Sequence, residues 1–251
     1  MRTGSPWREG KEGNMYQEIW NLLYPKHCPV CFEILEDQKG DICPSCRKKV
    51  KRIRQPYCYQ CGKPLLSKEQ EYCYDCKRSK LSFDRGFSIV EYDTATAPSI
   101  LAVKYKNRRE FVKFYGRMGR EQYEKVLREL DLDGMIPVPL ARKKQRKRGF
   151  NQAELFANEV AGWLSVPVNR RLLIRGKETT PLKELSPLER RAALLKVFFW
   201  QEKYYRGERR VLLVDDIYTS GATADACTRI LKKHGIEKVY VLTMAIGRGD
   251  S

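Results

Sequence analysis

The sequence predicts an α/β protein, a doubly wound and mostly parallel sheet preceded by a small cysteine-rich module, and two observations predict it. Eight of the nine cysteines fall between Cys28 and Cys76 as four Cys-x-x-Cys pairs, each separated from the next by eleven residues. From Gly86 onward the texture changes to apolar strands alternating with helical periodicity, the pattern of a parallel sheet covered by helices on both faces.

Residues 1–20 are read as a flexible leader, residues 21–82 as the cysteine module and residues 83–251 as the α/β domain. The first fourteen residues are polar, carry Gly4, Gly10 and Gly13, and show no periodicity. Residues 86–92 alternate like a strand, residues 98–105 suit a short helix, and residues 111–130 repeat apolar side chains at helical spacing. A short buried strand at 134–138 leads into a basic loop at 142–148, and residues 152–164 form an amphipathic helix. Residues 211–214 are a buried strand, residues 222–234 a helix closed by Gly235, and residues 239–246 the last strand. Residues 178–191, rich in Thr, Pro and charge, interrupt the alternation and are expected to form a mobile hood.

Forty-nine Lys and Arg against thirty-one Asp and Glu leave a net charge of +18, which attracts polyanions. The charge is clustered at residues 47–54, 104–109 and 142–148. A single run suits a solvated face; three runs favour an anionic partner. The apolar stretches are far shorter than the roughly 18 residues a membrane span requires, and residues 1–14 have no apolar h-region. A cytoplasmic protein without membrane insertion is expected.

Two thiolates two residues apart can grip one metal, and two such pairs complete a tetrahedral site. In a reducing compartment the spacing favours zinc over disulfides. Eight thiolates allow two Zn²⁺ ions. Sequential pairing gives Cys28, Cys31, Cys43 and Cys46 on one ion and Cys58, Cys61, Cys73 and Cys76 on the other; interleaved pairing uses the same residues. The eleven-residue spacers suit short β-hairpins, hence two tandem zinc ribbons. Tyr57, Tyr59, Tyr72 and Tyr74 either stack nucleobases or cover the knuckles. His27 reads as a neighbour of the metal site, and lone Cys227 as a small buried side chain.

The string Val211-Leu-Leu-Val-Asp-Asp-Ile-Tyr-Thr-Ser-Gly-Ala-Thr223 sets two adjacent carboxylates at a strand end, then a hydroxyl-rich turn and a helix. Asp215 and Asp216 can accept hydrogen bonds from vicinal ribose hydroxyls. Backbone N–H groups of Tyr218, Thr219, Ser220, Gly221, Ala222 and Thr223 can face a phosphate at the helix N-terminus. With His27 and His234 the only histidines, no Ser-His-Asp or Cys-His nucleophile system is available, and no catalytic residue is assigned.

That string resembles the phosphoribosyl pyrophosphate (PRPP) signature of type I phosphoribosyltransferases. Pro137-Val-Pro-Leu140, Arg148-Gly-Phe-Asn-Gln-Ala-Glu-Leu155, Lys104-Tyr-Lys-Asn-Arg-Arg109 and the preceding cysteine module are together similar to the ComF family, over nearly the whole chain from about residue 20. The resemblance implies a type I phosphoribosyltransferase-like sheet behind a double zinc ribbon, PRPP bound with Mg²⁺, and Lys104, Lys144, Arg146 and Arg148 as candidates for the pyrophosphate side. It also implies a role in natural competence, where imported single-stranded DNA is handled beside a helicase or uptake channel. Leu182 and Ala193 depart from the amides carried by the family's hood. Active transfer of ribose 5-phosphate to a nitrogen acceptor, with release of pyrophosphate, is the alternative, and sensing of PRPP without chemistry a third.

Overall fold

A computed structural model of the chain describes residues 22–38, 40–176, 194 and 196–247; the expected leader and hood, with Leu182 and Ala193, lie outside them. The chain divides into two compact units between Lys48 and Lys49.

The first unit holds one ribbon. Its strands meet at a bridge between His27 and Ile34 that spans the knuckle Cys28-x-x-Cys31, and its second knuckle opens a short helix, α1 (Pro44–Arg47). The second ribbon repeats this plan thirty residues on: the bridge becomes Tyr57 with Pro64, and the helix becomes α2 (Tyr74–Arg78). The amide bonds recur as well. Leu35 N–H donates to Lys26 and Leu65 N–H to Pro56, while Arg47 N–H donates to Cys43 and Lys77 N–H to Cys73. The hairpins therefore form around the leading knuckles, not along the eleven-residue spacers: each knuckle reverses the chain within four residues and leaves its flanks paired. The residue after each leading knuckle takes positive φ, 66° at Phe32 and 77° at Gly62.

In the second unit four strands, β1 (Arg85–Tyr92), β2 (Gly134–Pro137), β5 (Arg210–Tyr218) and β6 (Lys238–Gly247), form a parallel sheet in the order β1-β6-β5-β2. Helices α3 (Ala97–Tyr105), α4 (Phe111–Arg128), α5 (Arg142–Arg148) and α6 (Gln152–Leu164) separate β1 from β2, and α7 (Ala222–Lys233) joins β5 to β6. A hairpin of β3 (Leu173–Arg175) and β4 (Phe198–Trp200) stands apart from the sheet. Alternate side chains of β5 face opposite layers. Val211 and Leu213 enter a core with Cys227 and Leu231 of α7, Leu173 and Phe198, whereas α6 packs against β5, β2 and α4 on the other side. The expected doubly wound, mostly parallel α/β sheet behind a zinc-ribbon module is what forms. Among the described residues no helix is long and apolar enough to cross a membrane.

Two local expectations change. Arg142–Arg148 is a helix, not a loop: Lys, Arg and Gln are good helix formers, and buried Val138 and Phe150 fix the chain on either side. Part of the first basic run is a sheet edge. Ile53 N–H donates to Ile89 and Glu91 N–H to Lys51, and Arg52 bridges antiparallel to Val90. There Arg52 also pairs with Glu121 at 2.8 Å.

The second ribbon is welded to the start of β1. Gly86 N–H donates to Gln60 at 2.7 Å, and the Gln60 amide donates to the Phe83 carbonyl. A Cβ on Gly62 would lie 2.8 Å from the Gly86 carbonyl oxygen, so the approach is backbone against backbone and, with its positive φ, the position requires glycine.

Candidate functional site

The parallel order fixes where a ligand site can form. Strands β5 and β2 are neighbours, yet the helices α7 and α6 that follow them lie on opposite faces of the sheet, so a crevice opens outside their carboxyl ends. Two of the segments singled out in the sequence leave neighbouring strands there: the turn after β5, and residues 137–148 after β2, with Val138 N–H donating to Val214.

The turn after β5 closes a cavity of about 100 Å³ lined by Asp215, Tyr218, Ser220, Gly221, Thr223 and Thr243, among others. Helix α7 starts at Gly221 without a side-chain cap, which leaves its first amide donors available to an anion. Gly221 has φ 75°, and a Cβ there would stand 2.2 Å from the Tyr218 hydroxyl. Conformation and space both demand glycine. Thr219 and Ser220 are exposed at the rim.

The two carboxylates diverge because strand side chains alternate. Asp215 points to the α7 layer and the cavity, and pairs in register with Thr243 of β6. Its Oδ1 accepts from the Asp216 amide at 2.8 Å. Burial, and then the charge of Asp216, push the Asp215 carboxyl well above the usual carboxylate range. Asp216 points to the other layer, where its Oδ2 lies 2.6 Å from Lys104 Nζ at the end of α3. Thr243 is a site residue that the sequence did not single out; a lone threonine within the apolar run 239–246 was the available signal.

The raised pKa carries a stability consequence. A carboxyl protonated more readily when folded than when unfolded opposes folding while ionised, and the opposition fades as pH falls towards 3.8, where the unfolded group also takes up its proton. Asp215→Asn is therefore expected to melt above the native protein at pH 7, with the margin narrowing towards pH 4. Equal melting temperatures at pH 7 would remove this account.

Of the four cations considered for a pyrophosphate, only Lys104 reaches the acids. Arg148 lies over the Tyr105 ring at 5.1 Å and donates to Gln152, while Lys144 and Arg146 stand exposed on α5. The segment Arg148-Gly-Phe-Asn-Gln152 acts as a joint. Phe150 is buried under Arg109, whose guanidinium lies 4.4 Å from the ring centre. Asn151 caps α6 through the Ala153 amide at 3.1 Å and donates to the Val138 carbonyl at 2.9 Å. The stacks of Arg148 on Tyr105 and of Arg109 on Phe150 join the end of α3 to α5 as one basic surface, on which Tyr105 is 73% exposed.

The cysteines fall into the sequential groups Cys28, Cys31, Cys43, Cys46 and Cys58, Cys61, Cys73, Cys76, and the sulfurs of each group lie within 4.8 Å of one another. A tetrahedron with Zn–S near 2.3 Å has edges of about 3.8 Å. The separations of 3.9 Å for Cys31 with Cys43 and 3.6 Å for Cys61 with Cys73 fit it. Side-chain hydrogen bonding among the sulfurs holds the Cys58 thiol far below, and pushes Cys61 far above, the usual range. Two Cys₄ groups thus suit two zinc ions. Tyr59, Tyr72 and Tyr74 are exposed, with Tyr59 and Tyr72 edge to face, while Tyr57 is half-buried and accepts from Arg85 at 3.3 Å. Cys28→Ser with Cys31→Ser should lower metal content from two zinc ions per chain to one; retention of both ions would refute the ligand assignment.

A family model described as a double zinc ribbon domain matches residues 19–77. Competence protein F of Haemophilus influenzae is 36% identical over 114 residues, 45% of this chain and 50% of that protein. Competence protein ComFC of Bacillus subtilis is 26% identical over 149 residues, 59% of this chain and 58% of its own length. The chain is thus similar to competence proteins over about half of its length. DNA utilization protein YhgH of Escherichia coli K12 is 26% identical to this chain over 162 residues, 63% of the chain and 70% of the relative. The chain spans half the length of the Haemophilus relative and just under three-fifths of the Bacillus one.

Proposed function

We propose that this chain is a ComF-family protein that binds PRPP with Mg²⁺ at the turn between β5 and α7, and single-stranded DNA on the basic surface of α3 and α5, as a cytoplasmic protein of natural competence. The observation that carries the ligand reading is the uncapped, glycine-opened start of α7 beside Asp215, at the carboxyl end of β5. In that reading the α7 amides take the 5′-phosphate, Asp215 accepts from a ribose hydroxyl, and Asp216 joins it once Lys104 turns to the pyrophosphate. Mg²⁺ would neutralise charge on the pyrophosphate oxygens.

The DNA reading is supported by the charge pattern of α5. Arg142 with Arg146, Lys143 with Lys147 and Lys144 with Arg148 are like charges four residues apart, each pair weakening the helix, and Arg142 and Lys143 sit at the wrong end of its dipole. A polyanion would relieve all of these at once. The names of the relatives, two competence proteins and a DNA utilization protein, accord with this role. A competence helicase or uptake channel would be the protein neighbour.

The test is calorimetric titration of the zinc-loaded protein with PRPP and Mg²⁺, with pyrophosphate release followed in the same samples with and without single-stranded DNA. Binding without release is expected. Release would make the chain a transferase acting on a nitrogen acceptor, and absence of binding would overturn the ligand reading.

A further inference from the structure

Tyr218, the last residue of β5, belongs to two neighbourhoods. Its hydroxyl fills the space where a side chain on Gly221 would stand, so the ring is the floor of the turn that opens α7. The same ring meets Phe83 edge to face at 6.2 Å and 88°, and both lie in one apolar cluster with Cys58, Cys61, Cys73, Leu81, Ala222 and Ala226. Tyr218 is 5% exposed and Phe83 2%. The link is also polar: the Ser82 amide, in the link between the second ribbon and β1, donates to Asp225 Oδ1 in the first turn of α7 at 2.7 Å.

We infer that the second metal group positions the turn after β5: closing Cys58, Cys61, Cys73 and Cys76 on zinc holds Phe83 and Tyr218, and thereby the amide cradle at Gly221, in the shape that receives a phosphate. A ribbon of this size owes much of its folding free energy to its metal, so without the ion the wall beneath the cradle loosens. The first group lies in the other compact unit, and the two ions therefore have different duties: the second tunes ligand affinity. The binding of PRPP at this turn is taken from the function proposed above.

Coupling of this kind is reciprocal. If zinc at the second group favours the ligand, the ligand must hold that zinc more tightly. Zinc transfer from the full-length protein to a chromophoric chelator is followed with and without PRPP and excess Mg²⁺, with binding of PRPP measured calorimetrically in parallel. Cys31→Ser assigns the phases by deleting the one that belongs to the first group. The expected result is that PRPP slows the remaining phase about tenfold, within the usual range of coupling between sites, and that Cys61→Ser lowers PRPP affinity by a similar factor. Heat of binding with both release phases unchanged overturns the inference and leaves the ligand reading intact. No heat of binding overturns both. Should Cys61→Ser fail to fold, the release measurement on the native protein decides alone.

Discussion

Asp215→Ala combined with Asp216→Ala is expected to lower PRPP affinity at least a hundredfold while two zinc ions stay bound. Each carboxylate that accepts from a ribose hydroxyl contributes about 1.5–3 kcal/mol, and losing two such bonds amounts to two or more powers of ten. The stability effects of the two changes oppose each other. Removing Asp215 relieves a carboxylate whose charge burial disfavours, whereas removing Asp216 strands Lys104, whose side chain is 16% exposed and whose ammonium lies 2.6 Å from that acid. The single variants should therefore part: Asp215→Ala melts higher, Asp216→Ala lower. Calorimetry with metal analysis checks the first claim, and unchanged PRPP affinity would sink the site.

Arg142→Ala, Lys143→Ala and Lys147→Ala together are expected to weaken single-stranded DNA binding and to flatten its salt dependence. Each phosphate contact to a single strand adds about 0.7 to the slope of log affinity against log salt, so losing three reduces it by about two. Because these side chains are exposed and repel one another along α5, folding should be undisturbed or slightly improved. An unaltered slope would place the DNA elsewhere or nowhere. PRPP titration of the same variant separates the two surfaces, since none of the three residues lines the cavity after β5.

What could be read from the sequence followed from how local each signal is. Helix α6 was legible to the residue because its apolar period lies within the segment. The apolar run 211–214 showed the first half of β5, but the strand continues through Asp215, Asp216 and Tyr218, since pairing with β6 overrides the weak strand preference of acids. Helix α5 looked like a loop for want of an apolar face. The metal groups were legible as eight ligands, yet their pairing was not, because both pairings use the same residues. Strands β3 and β4 are three residues each and gave no period to detect. The divergence of Asp215 and Asp216 follows from strand alternation, but the partner of Asp216 depends on where α3 lands.

The two ribbons share one blueprint and differ at the residue after the leading knuckle, Phe32 in one and Gly62 in the other. Both positions turn the chain through the same left-handed conformation, so the turn alone does not require glycine. At Gly62 the Gly86 carbonyl stands where a side chain would begin. The copies are consequently not spare parts for each other: a transplant of residues 27–46 into the place of 57–76 would bring a benzyl group against Gly86, and the graft could bind its zinc and still fail to seat.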